Sequence, residues 1–452
     1  MTTALTITAL PYSPDPLALF AKLRQRPGAV LLDSGRPKAT NGRYDIMTSD
    51  PLATLEIGPD GQSTLASETL TLPSSLKSDT TAQQQWLLDQ LPLTAEESEL
   101  PFLGGLMGYW SYDLGRKQAE IPSQHPPVNQ LPLARLGLFD WCITFDHVTE
   151  QAWLVGSEQR RRQVMGWLSE PTTPAAPFVL TQPFVAQLSQ AEYTERFTAV
   201  QRYIRAGDCY QINLAQRFSA RYQGDEWQAY LKLREATPTP FSGFMAWGDQ
   251  AVLSLSPERF IQSRDGLVET RPIKGTRPRG QTPDEDLALA DDLLSSTKDR
   301  AENVMIVDLL RNDLGRVCTP GSIRVPQLCQ LESYPNVHHL VSVVQGQLAA
   351  PHTPLSLLTA AFPGGSITGA PKIRAMQIID ELEPCQRSVY CGSLGYIDVR
   401  GSMDTSIAIR TMVADAGTLH VWGGGGLVAD SQAEEEYTET LDKIRHLIGA
   451  LE

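Results

Sequence analysis

No segment of this sequence approaches the roughly 20 consecutive apolar residues that a membrane-spanning helix needs. Basic residues are in the minority. With 38 Lys and Arg against 52 Asp and Glu, the net charge of −14 argues against non-specific binding to nucleic acid or to an anionic membrane surface. Any anion-binding site must therefore be a local basic pocket. The six cysteines, Cys142, Cys209, Cys318, Cys329, Cys385 and Cys391, form no Cys-x-x-Cys pair, so neither a zinc knuckle nor a redox motif is indicated. Reduced thiols in a cytoplasmic protein are the simplest reading. Met1 to Tyr12 lacks a basic segment followed by a long apolar stretch, so no secretory leader is expected. Internal repeats and low-complexity tracts are absent, and neither glycine-rich stretch carries a phosphate-loop or Rossmann spacing.

What is present is enough chain, 452 residues, for several cores or for one interlocked α/β unit. Strand-like runs occur at Ala29 to Leu32, Arg43 to Met47, Gly137 to Phe145 and Ala152 to Val155. The run Glu170 to Pro177 is proline-rich and without periodicity, which marks a linker over 170–184 between an N-terminal part, 1–169, and a C-terminal part, 185–452. Beyond it, Ser189 to Ala206 has helical spacing and stops at Gly207. Cys209 to Phe218 alternates like a strand with one polar face, and Trp227 to Glu235 reads as a helix.

Lys274 stands in Arg271-Pro272-Ile273-Lys274-Gly275-Thr276-Arg277-Pro278-Arg279, where neighbouring positive charge disfavours an ammonium and frees the lone pair of a potential nucleophile. A solvated, anion-binding basic patch is the alternative. The turn signal Arg264-Asp265-Gly266 predicts a hairpin in which Ser263 pairs with Leu267 and Ser256 faces Lys274. That register puts Glu258 on the same face as Lys274, about 7–8 Å away as a diagonal neighbour. Glu258 could equally be a charge partner of Arg259 or Arg271. The segment Lys298 to Asp313 is apolar on nearly all sides from Val304 to Leu310, as expected of a buried helix, so Glu302 on it needs an arginine partner or a hard cation. A second acidic helix starts near Ser431, whose spacing to Glu434 fits a capping box. Glu436 and Glu439 lie off its apolar stripe; solvation accounts for them, or Glu439 joins Glu302 in an oxygen-rich Mg²⁺ site completed by water and substrate. Pro363 to Lys372 leads into a helix, and Gly423 to Gly426 follows the strand Thr418 to Trp422. Converging backbone N–H groups there suit a carboxylate better than a nucleotide.

The motifs Pro272 to Thr276, Asp299 to Asn303, Arg311 to Arg316, Pro363 to Lys372, Met403 to Thr405 and Gly424 to Ser431 together resemble the chorismate-utilising enzymes. Leu31 to Gly35, Gly104 to Gly108 and Tyr112 to Arg116 extend the resemblance over nearly the whole chain. Within that family Lys274 distinguishes a subgroup, because anthranilate and isochorismate synthases usually have a small residue in its place. The resemblance implies a mixed α/β (α+β) fold, intertwined, with two antiparallel sheets packed as a sandwich and helices outside. It implies conversion of chorismate and ammonia to 4-amino-4-deoxychorismate, on the way to 4-aminobenzoate and folate, with Lys274 as nucleophile, Glu258 as general acid, and Glu302 and Glu439 as Mg²⁺ ligands. Gly275, Thr276, His339, Thr368, Tyr390, Arg410 and Gly424, Gly425 and Gly426 would line the substrate site. A tryptophan pocket would map to Ser34, Asn41, Gly42, Arg43, Tyr44, Pro240, Phe241 and Ser242. No cysteine sits in a Gly-x-Cys-x-Gly turn, so a separate glutamine amidotransferase subunit is the implied ammonia source. The rival reactions are ammonia addition at C2 with loss of pyruvate, and a catalytically silent tryptophan sensor.

Overall fold

Two antiparallel sheets carry nearly all the strands of the computed structural model, which describes residues 3–76, 79–91, 93–94, 98–334 and 337–452. The first runs in spatial order through Gln211–Gln223, Thr418–Leu427, Thr411–Asp415, Gln250–Ser256, Phe241–Trp247, Val30–Asp33, Tyr44–Thr48, Cys142–Asp146, Gln151–Gly156 and Thr6–Leu10. The second runs through Ile273–Pro278, Val337–Gln347, Leu267–Thr270, Arg259–Arg264, Met403–Ile407, Ser393–Asp398, Gly105–Trp110, Ala134–Phe139, Ala53–Ile57 and Ser63–Ala66. Strands from either side of 170–184 pair within both sheets: Val30–Asp33 with Phe241–Trp247, and Gly105–Trp110 with Ser393–Asp398. This is the mixed, intertwined arrangement that the resemblance implies.

Alternation along the strands of the first sheet decides which core each residue enters. Val30, Ile46, Met245, Val252 and Val413 of the first sheet join Leu55, Leu106, Leu136, Leu394 and Ile397 of the second in one core. Their neighbours Leu31, Met47, Phe244, Leu253 and Met412 point the other way, against the helices Leu17–Leu23, Glu158–Ser169, Glu226–Ala236 and Ala433–Gly449. The predicted helix after Ser189 forms as Gln190–Ala206, with a Ser189–Glu192 capping box and Gly207 in the left-handed region at φ 81°. The run from Gly137 to Phe145 is two strands, because the chain leaves the second sheet at Phe139 and joins the first at Cys142.

Other expectations need correction. The Leu267 hairpin has a two-residue loop, Asp265-Gly266, so Arg264 pairs with Leu267 and Ser263 with Val268, one residue away from the predicted register. The Thr297–Gly315 helix is amphipathic, with Val304, Asp308 and Arg311 exposed, since it covers one face of the second sheet and leaves its other side to solvent. Ser431 makes no capping box with Glu434. The helix there begins at Ala433, and the Ser431 hydroxyl donates to buried Glu436 at 2.5 Å. Gly423 to Gly426 lie inside the Thr418–Leu427 strand rather than after it.

The hairpin error matters little, because the chain does not continue straight through it. At Pro257-Glu258 it passes from the first sheet, Gln250–Ser256, to the second, Arg259–Arg264. It passes back between Met403–Ile407 and Thr411–Asp415. The two crossings lie side by side: Ile407 N–H donates to Glu258 O at 3.1 Å and Leu255 N–H to Arg410 O at 3.1 Å. Glu258 and Arg410 thus stand together at the seam between the sheets.

Candidate active site

Lys274 occupies a bulge. Ile273 pairs with Val341 and Thr276 with His339, so the two residues between them fall out of register and Gly275 takes φ 82°. A side chain on Gly275 has no room, because its Cβ would lie 2.8 Å from Leu293 Cδ1 and 2.9 Å from Asp299 Cγ. The bulge turns Lys274 Nζ inward, where it donates to Ser366 O at 3.3 Å. Burial pushes its ammonium below the usual lysine range and Lys443 acts the same way, against the attraction of Glu302, Glu258 and Glu439. The neighbouring arginines are not the cause the sequence suggests. Arg271 is paired with Glu332, Arg277 with Asp292 and Asp299, and Arg279 with Asp286.

Glu258 is 6 % exposed, and its Oε1 lies 3.5 Å from the Ile273 N–H. Burial raises its carboxyl to about 7, although Lys274 pulls the other way. An amine biased toward its neutral form and a carboxyl biased toward its protonated form therefore share the seam, the pairing that nucleophilic attack with general-acid assistance needs. Arg410 holds φ 51° at the second crossing, and burial outweighs Glu258 in lowering its guanidinium.

The Thr418–Leu427 strand supplies the floor. A Cβ on Gly424 would lie 2.8 Å from Tyr390 Oη, and one on Gly426 would lie 3.7 Å from Lys274 Nζ. Both positions need glycine, because a side chain at Gly424 would also meet Ala215 Cβ at 2.8 Å and one at Gly426 would meet Gln211 Nε2 at 2.6 Å. Gly425 faces the other way, its Cβ position 3.0 Å from Glu436 Oε2 and 3.2 Å from Glu439 Oε1. Tyr390 is stacked on Trp422 with 6° between the rings. His339 Nδ1 is 2.8 Å from Thr276 Oγ1, and burial lowers its imidazolium to about 4. Fully buried Thr368 spends its hydroxyl on Gly364 O at 3.0 Å.

Glu302 and Glu439 approach from the Thr297–Gly315 and Ala433–Gly449 helices. Burial raises the Glu302 carboxyl, with Lys274 opposing and Glu439 adding. Burial would also raise Glu439, but its 2.6 Å pair with Lys443 holds it below the usual range. Glu436 Oε2 is buried without a hydrogen-bond partner. An all-carboxylate set of this kind fits a hard cation. Among the described residues no three His, Cys, Asp or Glu converge as a complete ligand cluster, so most of the shell would have to come from water and substrate.

Sequence reading missed several neighbours. Gln211 and Asn213 share the cleft face of their strand, and the alternation from Cys209 to Phe218 contained that signal. Lys443 donates to Gly424 O at 2.8 Å, and Arg387 lies under Tyr390 with its guanidinium 5.8 Å from the ring centre. Neither carries a motif that sets it apart in the sequence.

Away from Lys274, a cavity of about 140 Å³ opens between the sheets. Asn41, Gly42, Arg43, Tyr44, Pro240, Phe241 and Ser242 line it, together with Leu32, Leu394 and Tyr396. Ser34 lies behind Gly42, 1 % exposed, its Oγ without a partner.

Comparison with known proteins shows the family. The family profile described as chorismate binding enzyme matches residues 29–449. Aminodeoxychorismate synthase component 1 of Klebsiella aerogenes is 47 % identical over 446 residues, covering 98 % of either chain. Anthranilate synthase component 1 of Pseudomonas putida is 38 % identical, covering 96 % of this chain and 92 % of its own. The crystal structure of anthranilate synthase component I from Streptococcus pneumoniae TIGR4 superposes with a TM-score of 0.78 at 31 % identity, covering 91 % of this chain and 93 % of that one.

Proposed function

We propose a reaction for a chain that belongs to the chorismate-binding enzyme family and is a chorismate-utilising enzyme of the aminodeoxychorismate and anthranilate synthase type. Its product is 4-amino-4-deoxychorismate. The observation that carries this choice is the bulge that turns Lys274 Nζ toward the cleft floor beside Glu258, because a direct attack of ammonia at C2 would meet that side chain first.

The Lys274 lone pair bonds to C2 of chorismate, both ring double bonds shift (C1=C2 to C1=C6 and C5=C6 to C4=C5), and the C4–O bond breaks. Glu258 gives its proton to the departing hydroxyl, which leaves as water. Ammonia then bonds at C4, both double bonds shift back to C5=C6 and C1=C2, and the C2–N bond to Lys274 breaks. A proton lost from the new ammonium returns to Glu258. The sum is chorismate plus ammonia giving 4-amino-4-deoxychorismate and water. Two allylic displacements replace one difficult substitution.

Glu302 and Glu439 would hold Mg²⁺, which supplies a positive charge for the ring carboxylate when bound. Arg410, Tyr390 and the Gly424 to Gly426 backbone orient the carboxylates, with His339, Thr276, Gly275 and Thr368 enclosing the ring. Ammonia comes from a separate glutamine amidotransferase subunit in the cytoplasm. The remote cavity takes a tryptophan, a reading supported by its walls of Tyr44, Phe241, Leu32 and Leu394. Mass spectrometry of the denatured protein should release tryptophan, and its absence would withdraw this assignment.

The reaction is tested by incubating the protein with chorismate, Mg²⁺ and an ammonium salt, adding the downstream lyase and assaying 4-aminobenzoate. Fluorescent anthranilate with pyruvate release would reject the assignment. Without ammonium, intact mass should show a chorismate-derived adduct that Lys274→Ala lacks.

A further inference from the structure

We infer that the side-chain amide of Asn213 is a substrate contact, donating a hydrogen bond to an oxygen of the bound ring diacid. Asn213 is 6 % exposed, and its Nδ2 is buried with no hydrogen-bond partner. A buried amide N–H in that condition is disfavoured unless something completes it.

Strand geometry says where the amide stands. Asn213 pairs with Gly426 and Ala215 with Gly424 across the ladder, so all four present the same face. On that face a Cβ at Gly424 would meet Ala215 Cβ and Tyr390 Oη, each at 2.8 Å, while one at Gly426 would meet Gln211 Nε2 at 2.6 Å and Lys274 Nζ at 3.7 Å. Asn213 therefore lies between Tyr390 at one end of the cleft floor and Lys274 at the other. The two glycines opposite bring no side chain that could accept from the Asn213 amide.

The backbone of Asn213 is fixed before any ligand arrives. Its N–H donates to Thr368 O at 2.8 Å, and its carbonyl accepts from Arg387 Nη2 at 2.5 Å. Arg387 is itself held by Glu383 and donates to Ile367 O at 2.9 Å, tying the strand to the Pro363–Thr368 loop. A donor so anchored and left without an acceptor is a preorganised binding group. An oxygen acceptor answers it, since an ammonium or an apolar edge would leave the N–H as it is now.

This assignment rests on the chorismate reading above. The test is calorimetric titration of the full chain with chorismate in Mg²⁺ and no ammonium, alongside thermal midpoints and steady-state kinetics. Asn213→Leu should weaken chorismate binding at least tenfold and raise KM for chorismate while leaving KM for ammonium unchanged. Its midpoint should hold or rise, because it removes an unsatisfied donor. Asn213→Asp, of the same shape, should weaken binding further and serves if the leucine variant does not fold. Affinity equal to wild type in either folded variant, with or without a lower midpoint, would overturn the role of Asn213. Failure of the wild-type protein to bind chorismate would instead overturn the reading beneath it.

Discussion

Replacing Glu258 with glutamine should cripple turnover and yet stabilise the protein. Burial raises this carboxyl from an ordinary 4.5 to about 7. At about 1.4 kcal/mol per pH unit, ionising it in the folded chain is disfavoured by about 3 kcal/mol relative to the unfolded chain. The sign follows from the direction. A raised carboxyl leaves stability intact below its unfolded value and removes it as pH climbs through the folded one. Glutamine has the same shape and never ionises, so Glu258→Gln should gain up to about 3 kcal/mol near pH 8 and about nothing near pH 4.5. For 452 residues each kcal/mol moves the thermal midpoint by roughly 1 °C, so a difference of about 2–3 °C is expected at alkaline pH. Adduct formation should meanwhile fall by about 10²–10⁴-fold for want of the acid. Paired melting curves across pH provide the assay. A variant less stable than wild type near pH 8, or a gap that persists on acidification, would refute the reasoning.

Wild-type adduct formation should lose rate as pH rises through about 7, and single-turnover mass spectrometry should find that limb missing from residual Glu258→Gln activity. Glu302→Gln should raise the Mg²⁺ concentration for half-maximal activity more than tenfold while the midpoint holds or rises, since burial already disfavours that carboxylate. Gly424→Ala would place a methyl 2.8 Å from both Ala215 Cβ and Tyr390 Oη. Chemical denaturation should register a loss of about 1–3 kcal/mol from overpacking, and KM for chorismate should rise. Arg387→Met strands the buried Glu383 carboxylate and should lose about 3–5 kcal/mol, most of it recovered in Arg387→Met/Glu383→Leu.

How far the sequence reaches differs between fold and site. The Ser189 cap and Gly207 stop are local chemistry, and they put the Gln190–Ala206 helix where its spacing predicts. The strand runs are also legible, but their partners are not. Nothing in Val30–Asp33 says that it will pair with Phe241–Trp247 some two hundred residues on. Lys274, Glu258, Glu302 and Glu439 are recognisable as a set through motif resemblance, whereas the reason Lys274 and Glu258 meet is not. It lies in a bulge and a change of sheet that no periodicity reports. The same holds for the lowered Lys274, where the nearby arginines are quenched by acidic partners on other elements.

The interleaving of early and late strands in both sheets bears on how this protein comes into being. The glycine floor and the Glu439 helix belong to Thr418–Leu427 and Ala433–Gly449, and their ladder partner Gln211–Gln223 must wait for them. During synthesis a ribosome would thus expose a half-finished sheet with an open edge for some two hundred residues, a span in which chaperones have most to hold. Ligand binding should accordingly switch on late and all at once. A nascent chain halted before Thr418 would have no competence toward the diacid, however much of its remaining architecture had already set.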